Sequence, residues 1–121
     1  MQGALRLAAL LALGLAGCDL AYPEVVVVHR AGERYLLRDL SFNGCLWDSV
    51  LADGEATPPG LCLPGEDRVR FRRLDLRGDG EALWFNYQSA PRQAGYGELR
   101  RFELTLGEME QDFSVPGPYG H

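Results

Sequence analysis

The residues of this 121-residue chain that could do chemistry are its carboxylates, two histidines, three cysteines and a small set of aromatic and amide side chains. The stretch "DLRGDGE", residues 75–81, puts Asp75, Asp79 and Gly80 at the first, fifth and sixth positions of an EF-hand calcium loop. Arg77 replaces the third-position acid, and Asn86 stands where a glutamate must close the site. Too few oxygen ligands remain, and a tight inter-strand turn explains Gly78, Asp79 and Gly80 without a metal. Arg77-Gly78-Asp79 also matches an integrin-recognition motif, but so short a match is typical of hairpin tips. "DGEA" occurs at 53–56 and 79–82 with unmatched flanks, which reads as two acidic turns of similar chemistry.

His29 falls inside a predicted strand and His121 at the terminus, and neither is placed for catalysis. A serine nucleophile needs a base within hydrogen-bond reach, and no G-x-S-x-G or S-x-x-K motif supplies one. The carboxylate pairs Glu66/Asp67 and Glu108/Glu110 could do acid–base work, and a small hydrolase using loop carboxylates over 53–67, Glu55 among them, is the alternative reading. Acidic pairs on loops are, however, usually solvated. The sequence reads first as a non-enzymatic binding or structural domain with no metal and no cofactor.

A binding surface is the sharper possibility. In "EALWFNYQS", residues 81–89, Leu83, Phe85 and Tyr87 share one face of a strand while Trp84, Asn86 and Gln88 share the other. An aromatic plane beside amides, with Tyr96 nearby in sequence, suits sugar rings or a peptide strand: rings cover apolar faces and amides pair with hydroxyls. The commoner arrangement places Trp84 in the core, and alternation alone does not decide which face is inside.

Strands must position these groups. "EVVVVHR", residues 24–30, is a β-branched run expected to be buried on both faces. After the turn "AGE", "RYLLRDL" is expected to pair back on it as a hairpin. "SFNGCLW" carries an Asn43-Gly44 turn and then a short strand with Cys45 and Trp47 on one face. Glycines and prolines make 52–64 a loop. "RVRFRRLDL" and "YGELRRFELTL" each change phase at an arginine pair, Arg72-Arg73 and Arg100-Arg101, which predicts a β-bulge in each. A helical turn over 108–112 and a loosely packed proline-containing tail are expected to end the chain. Short strands separated by turn residues argue for an all-β fold, a small antiparallel β-sandwich of immunoglobulin-like or transthyretin-like kind.

Residues 1–6 carry one positive charge, and residues 7–17 are uncharged and rich in leucine and alanine. This is a helical secretory signal, too short for the roughly 20 apolar residues of a spanning helix. It ends in "LAGC", with Leu15, small Ala16 and Gly17, then Cys18, and this resembles the lipobox of bacterial lipoproteins. The resemblance implies that Cys18 receives a diacylglyceryl group, that the chain is cut just before it and that the new amino terminus is usually acylated. Two or more acyl chains give stable anchoring, at about 0.8 kcal/mol per buried CH₂. In some bacteria Asp19, directly after the cysteine, would favour the inner membrane. The domain reading is thus a signal at 1–17, a tether at 18–23, a β-sandwich at 24–106 and a tail at 107–121.

Export leaves Cys45 and Cys62 as the two remaining thiols in an oxidising compartment, where they are expected to pair. Hydrophobic residues at 46% and charged residues at 24% suit one folded domain. The net charge of −5, one unit more negative without Arg6, argues against nucleic acid as a partner. "SFNGCLW", "GEATPPGLCLPGEDRVRF", "WFNYQ" and "MEQDFSVPGPYG" are similar to segments of a group of small uncharacterised bacterial lipoproteins. That resemblance implies placement in the cell envelope, with the membrane through Cys18 and an envelope protein or wall polymer as partners, and no particular activity.

Overall fold

Four consecutive valines make β1 (Glu24–Arg30) a strand suited to burial on both faces. In the computed structural model Val25, Val27 and Val28 are fully buried, Val28 beneath the loop that brings Ala56 against it. The structure describes residues 21–76 and 83–120; the expected signal helix, Cys18 and most of the "DLRGDGE" motif lie outside them. The other strands are β2 (Tyr35–Phe42), β3 (Cys45–Trp47), β4 (Gly60–Leu61), β5 (Gly65–Asp75), β6 (Trp84–Ala94), β7 (Leu99–Thr105) and β8 (Glu110–Gln111).

They form the expected all-β sandwich. One sheet has the order β4-β1-β7 and the other β3-β2-β5-β6-β8. Every pair is antiparallel except β1 with β7, which run parallel from Glu24↔Leu99 to Arg30↔Thr105. Between the sheets Val25, Val27, Phe102 and Leu104 meet Leu37, Leu40, Phe42, Val69, Phe71 and Tyr87. Phe42 and Phe102 cross the interface edge to edge-on face, with centroids 4.9 Å apart, an arrangement that contributes about 0.5–1.5 kcal/mol beyond area burial.

The hairpin expected between β1 and β2 does not form. The turn is present, with Gly32 at φ 108° and Tyr35 N–H donating to the Gly32 carbonyl, but β2 departs into the other sheet. Fully buried His29 holds this corner. Its Nδ1 accepts the Ala31 N–H at 3.0 Å, which puts the ring proton on Nε2, and Nε2 donates to the Tyr35 carbonyl at 2.8 Å. These backbone groups are thereby satisfied without a β1–β2 ladder.

The Asn43-Gly44 turn is a two-residue hairpin loop with both residues at positive φ, 39° and 83°, joining Phe42↔Cys45. It directs Cys45 and Trp47 inward, as expected, and leaves Leu46 exposed. Cys45 is bonded to Cys62, just after β4, so the disulfide staples one sheet to the other, with Cα atoms 5.2 Å apart. A bridge closing a loop of this size contributes about 3 kcal/mol on the chain-entropy model. Trp47 Nε1 donates to the Pro58 carbonyl at 2.9 Å, and its ring lies against Gly60, where a Cβ would come within 3.0 Å of it.

The two predicted bulges are not where the arginine pairs placed them. Arg73 points inward, in phase with Val69 and Phe71, and β7 keeps unbroken register past Arg100 and Arg101, so Leu99 is simply exposed. The register shifts instead flank the middle of β5. Residues 39 and 40 of β2 oppose Phe71, with Asp39 at φ 54°, and residues 89 and 90 of β6 oppose Val69. Ser89 Oγ repairs the second interruption, accepting the Val69 N–H at 2.9 Å and donating to the Ala90 carbonyl at 2.8 Å.

Candidate functional site

β6 turns Phe85 and Tyr87 toward the core and Trp84, Asn86 and Gln88 outward. Trp84 therefore belongs to the outer face of the five-stranded sheet and not to the core. Register fixes its neighbours. Leu36, Leu74 and Trp84 form one row across β2, β5 and β6; Arg38, Arg72 and Asn86 the next; and Ser41, Arg70 and Gln88 the third. The face is thus an aromatic residue beside three arginines.

The Arg38 guanidinium lies over the half-buried Trp84 ring, 4.0 Å from its centroid. A cation on an indole face is worth about 0.5–1 kcal/mol at an exposed site. The Asp39 carboxylate, swung out by the bulge, lies 3.5 Å from Arg38 Nε and 3.7 Å from Arg72 Nε. The Arg38 Nε is buried and makes no hydrogen bond, so that pairing is purely electrostatic. A cleft of about 230 Å³ opens beside this cluster, lined by Asp39, Ser41, Arg72, Asn86, Asp112 and Val115. Planar, donor-rich guanidiniums next to an indole suit a ligand with acceptor oxygens and an apolar face.

The amide of Asn86 is already committed. Its Nδ2 donates to the Pro116 and Pro118 carbonyls at 2.8 and 3.2 Å, and its backbone N–H donates to Pro118. The tail expected to pack loosely is instead docked on this sheet. After a 3₁₀ turn at Leu106–Glu108, in place of the helical turn over 108–112, β8 pairs with β6 at Tyr87↔Gln111 and Gln88↔Glu110. Asp112 is buried 3.8 Å from Arg70 and accepts the Ser114 N–H, and Arg68 reaches Glu110 at 3.1 Å. Gly120 lies directly on the Tyr87 hydroxyl, where any Cβ would overlap it. Asn86 thus lines the cleft and Gln88 lies half-buried next to β8, while Trp84 and Arg38 sit together on the same sheet face, Trp84 one row beyond Arg72 and Asn86.

Sequence reasoning missed Arg73. Its buried guanidinium donates to Tyr87 Oη at 2.8 Å and Asp75 Oδ1 at 3.0 Å, and lies 4.0 and 4.6 Å from the Tyr87 and Tyr35 rings. Burial pushes the Tyr87 hydroxyl above its ordinary value, with Arg73 pulling the other way. An in-phase polar residue between Phe71 and Leu74 was the one available signal.

Tyr96 is not brought to Trp84. β6 runs from Trp84 to Ala94, a separation of ~33 Å along the strand. Tyr96 instead stacks on Tyr22, with centroids 6.4 Å apart. The loop carboxylates are likewise dispersed. Asp53 accepts the Gly32 N–H beyond one end of β1 and Glu55 accepts the Ala52 N–H, whereas Asp67 accepts the Asn43 N–H at the β2–β3 turn. Partial burial alone raises the Asp67 carboxyl, but the Asn43 and Arg68 N–H groups and the Arg70 guanidinium at 2.7 Å outweigh it and hold the group below its ordinary value. Among the described residues no group of three metal-ligating side chains converges.

Compared with family models, curated proteins and solved structures, the chain matches none.

Proposed function

We propose that this chain is a bacterial envelope lipoprotein, held on a membrane by acylated Cys18, and that its β-sandwich acts by binding an envelope protein or a wall polymer through the Trp84 face. The "LAGC" sequence after an eleven-residue apolar run supports the anchor. A disulfide between Cys45 and Cys62 is in keeping with an oxidising compartment. The observation that carries the binding role is the outward Trp84 ring, capped by Arg38 on the sheet face that also carries Arg72 and Asp39.

The role assigned here is recognition. Trp84 supplies a flat apolar surface, Arg38 and Arg72 supply forked donors, and Asp39 pairs with both guanidiniums, of which Arg38 lies on the ring. Truncating a central aromatic anchor at a binding site typically costs 2 kcal/mol or more, about a 30-fold loss of affinity. The test is co-sedimentation with purified wall polymer, together with crosslinking to envelope proteins in intact cells, for the parent chain and Trp84→Ala. Loss of capture in the folded variant is expected; equal capture by both chains, or none by either, contradicts the assignment.

A further inference from the structure

We infer that the end of the sandwich from which the tether leaves is a membrane-seating surface, with Tyr22, Leu61, Leu63, Tyr96 and Leu99 resting in the interfacial layer of the bilayer. The inference rests on the anchor at Cys18 proposed above.

Three short backbone bonds fix where the chain exits. Gly97 N–H donates to the Ala21 carbonyl at 2.7 Å, Cys62 N–H to the Pro23 carbonyl at 3.0 Å, and Glu24 N–H to the Glu98 carbonyl at 2.9 Å. Residues 21–24 are therefore pinned between the end of β4 and the loop entering β7. Register places Leu61 and Leu99 on either side of Glu24, on the outer face of the three-stranded sheet. Both are largely in water, at 70% and 78% exposure, as are Leu63 at 53% and the stacked pair Tyr22 and Tyr96 at 51% each. Large apolar side chains gathered around one exit point, here about Glu24, form a cluster that a soluble surface seldom leaves uncovered.

Reach selects the occupant. Tyr22 is four positions after Cys18, and an extended chain spans at most ~3.6 Å per residue, so the Tyr22 backbone lies within ~14 Å of that of an acylated Cys18. The headgroup layer on one side of a bilayer is itself several ångström thick. A lipid-bound Cys18 therefore keeps this end of the sandwich within about 10 Å of the headgroups. The chemistry matches that position, because tyrosines favour the membrane–water boundary and leucines favour the layer just beneath it. Leu99 also lines a shallow groove of about 280 Å³ with Glu24, Val26, Arg100 and Arg101, whose guanidiniums pair with Glu98 at 3.8 Å and Glu103 at 3.6 Å. With this end down, Trp84 sits at the opposite end of β6, distal to the membrane.

Depth-dependent fluorescence tests this on the full-length protein. Tyr96→Trp, and separately Leu99→Trp, place a reporter in the surface; Trp84 is the distal control and Trp47 is buried. Protein purified from bacterial membranes is reconstituted into vesicles of phosphatidylethanolamine and phosphatidylglycerol, with or without bromine on the acyl chains. The added tryptophan should lose about half its emission to the brominated lipid while Trp84 loses little. Leu61→Glu with Leu99→Glu should remove that quenching while the protein still floats with the vesicles. Flotation without quenching at 96 or 99, or equal quenching at Trp84, overturns the seating surface and leaves the anchor standing. Failure to float overturns both. A detergent-solubilised dimer dissolved by the double glutamate variant, again without quenching in vesicles, makes a second copy the occupant and also overturns the inference.

Discussion

Where the chain enters the sandwich, Tyr22, Leu61, Leu63, Tyr96 and Leu99 stand in water uncovered, whereas on the Trp84 face charged side chains meet charged or aromatic partners and the chain's own tail covers part of the cleft. The contrast shows two ways of handling exposed surface. Apolar groups gain nothing from water and call for an external cover. Arginines and carboxylates are ion-paired within the molecule, so an outside ligand must compete for them or approach at Trp84 and Arg38. The first region is suited to a lipid surface and the second to selective recognition.

Three substitutions sharpen this contrast. The largest effect is expected at Arg73, which belongs to neither region. Arg73→Met strips Tyr87 and Asp75 of a buried guanidinium partner and should cost about 3 kcal/mol in urea unfolding, with vesicle seating unchanged in the folded fraction. An unchanged unfolding midpoint would mean that the buried arginine is not a structural element. Next is Asn86→Ala, which removes the tail's two side-chain bonds on the Trp84 face. A loss of about 1.5 kcal/mol is expected, seen as roughly tenfold faster amide exchange over 112–120. Exchange at the parental rate would separate tail docking from Asn86.

The smallest effect concerns pH. The folded Asp67 carboxyl lies below its ordinary value, so its contribution to stability is complete above that value and is lost as pH falls through the folded pKa. Asp67→Asn should melt a few degrees below the parent chain at pH 7, and the two curves should converge below about pH 4. A constant gap across that range would contradict the sign.

Strand content, the Asn43-Gly44 hairpin, the shared face of Cys45 and Trp47, and the Cys45–Cys62 disulfide were legible in the sequence from β-branched runs, a loop needing two positive φ angles, and the two cysteines left after the expected leader. Partner choice was not legible. Periodicity reports which face a residue takes, not which strand lies beside it, so the parallel β1–β7 pair looked like a β1–β2 hairpin. Arg73 was misread for a related reason. A buried arginine breaks hydrophobic alternation just as an inserted residue does, and only its partners Tyr35, Tyr87 and Asp75, the two tyrosines distant in sequence, distinguish the two. The tail was misjudged because two prolines signal extended backbone but not the carbonyls that such backbone offers to Asn86.

The thioether proposed at Cys18 underlies both the anchor and the seating surface, and intact mass spectrometry of the protein extracted from bacterial membranes addresses it directly. The expected species begins at Cys18, carries diacylglyceryl and a further acyl group, and disperses in detergent. A soluble species of unmodified mass, retaining residues 1–17 or starting at another residue, would contradict the anchor and the seating surface built on it.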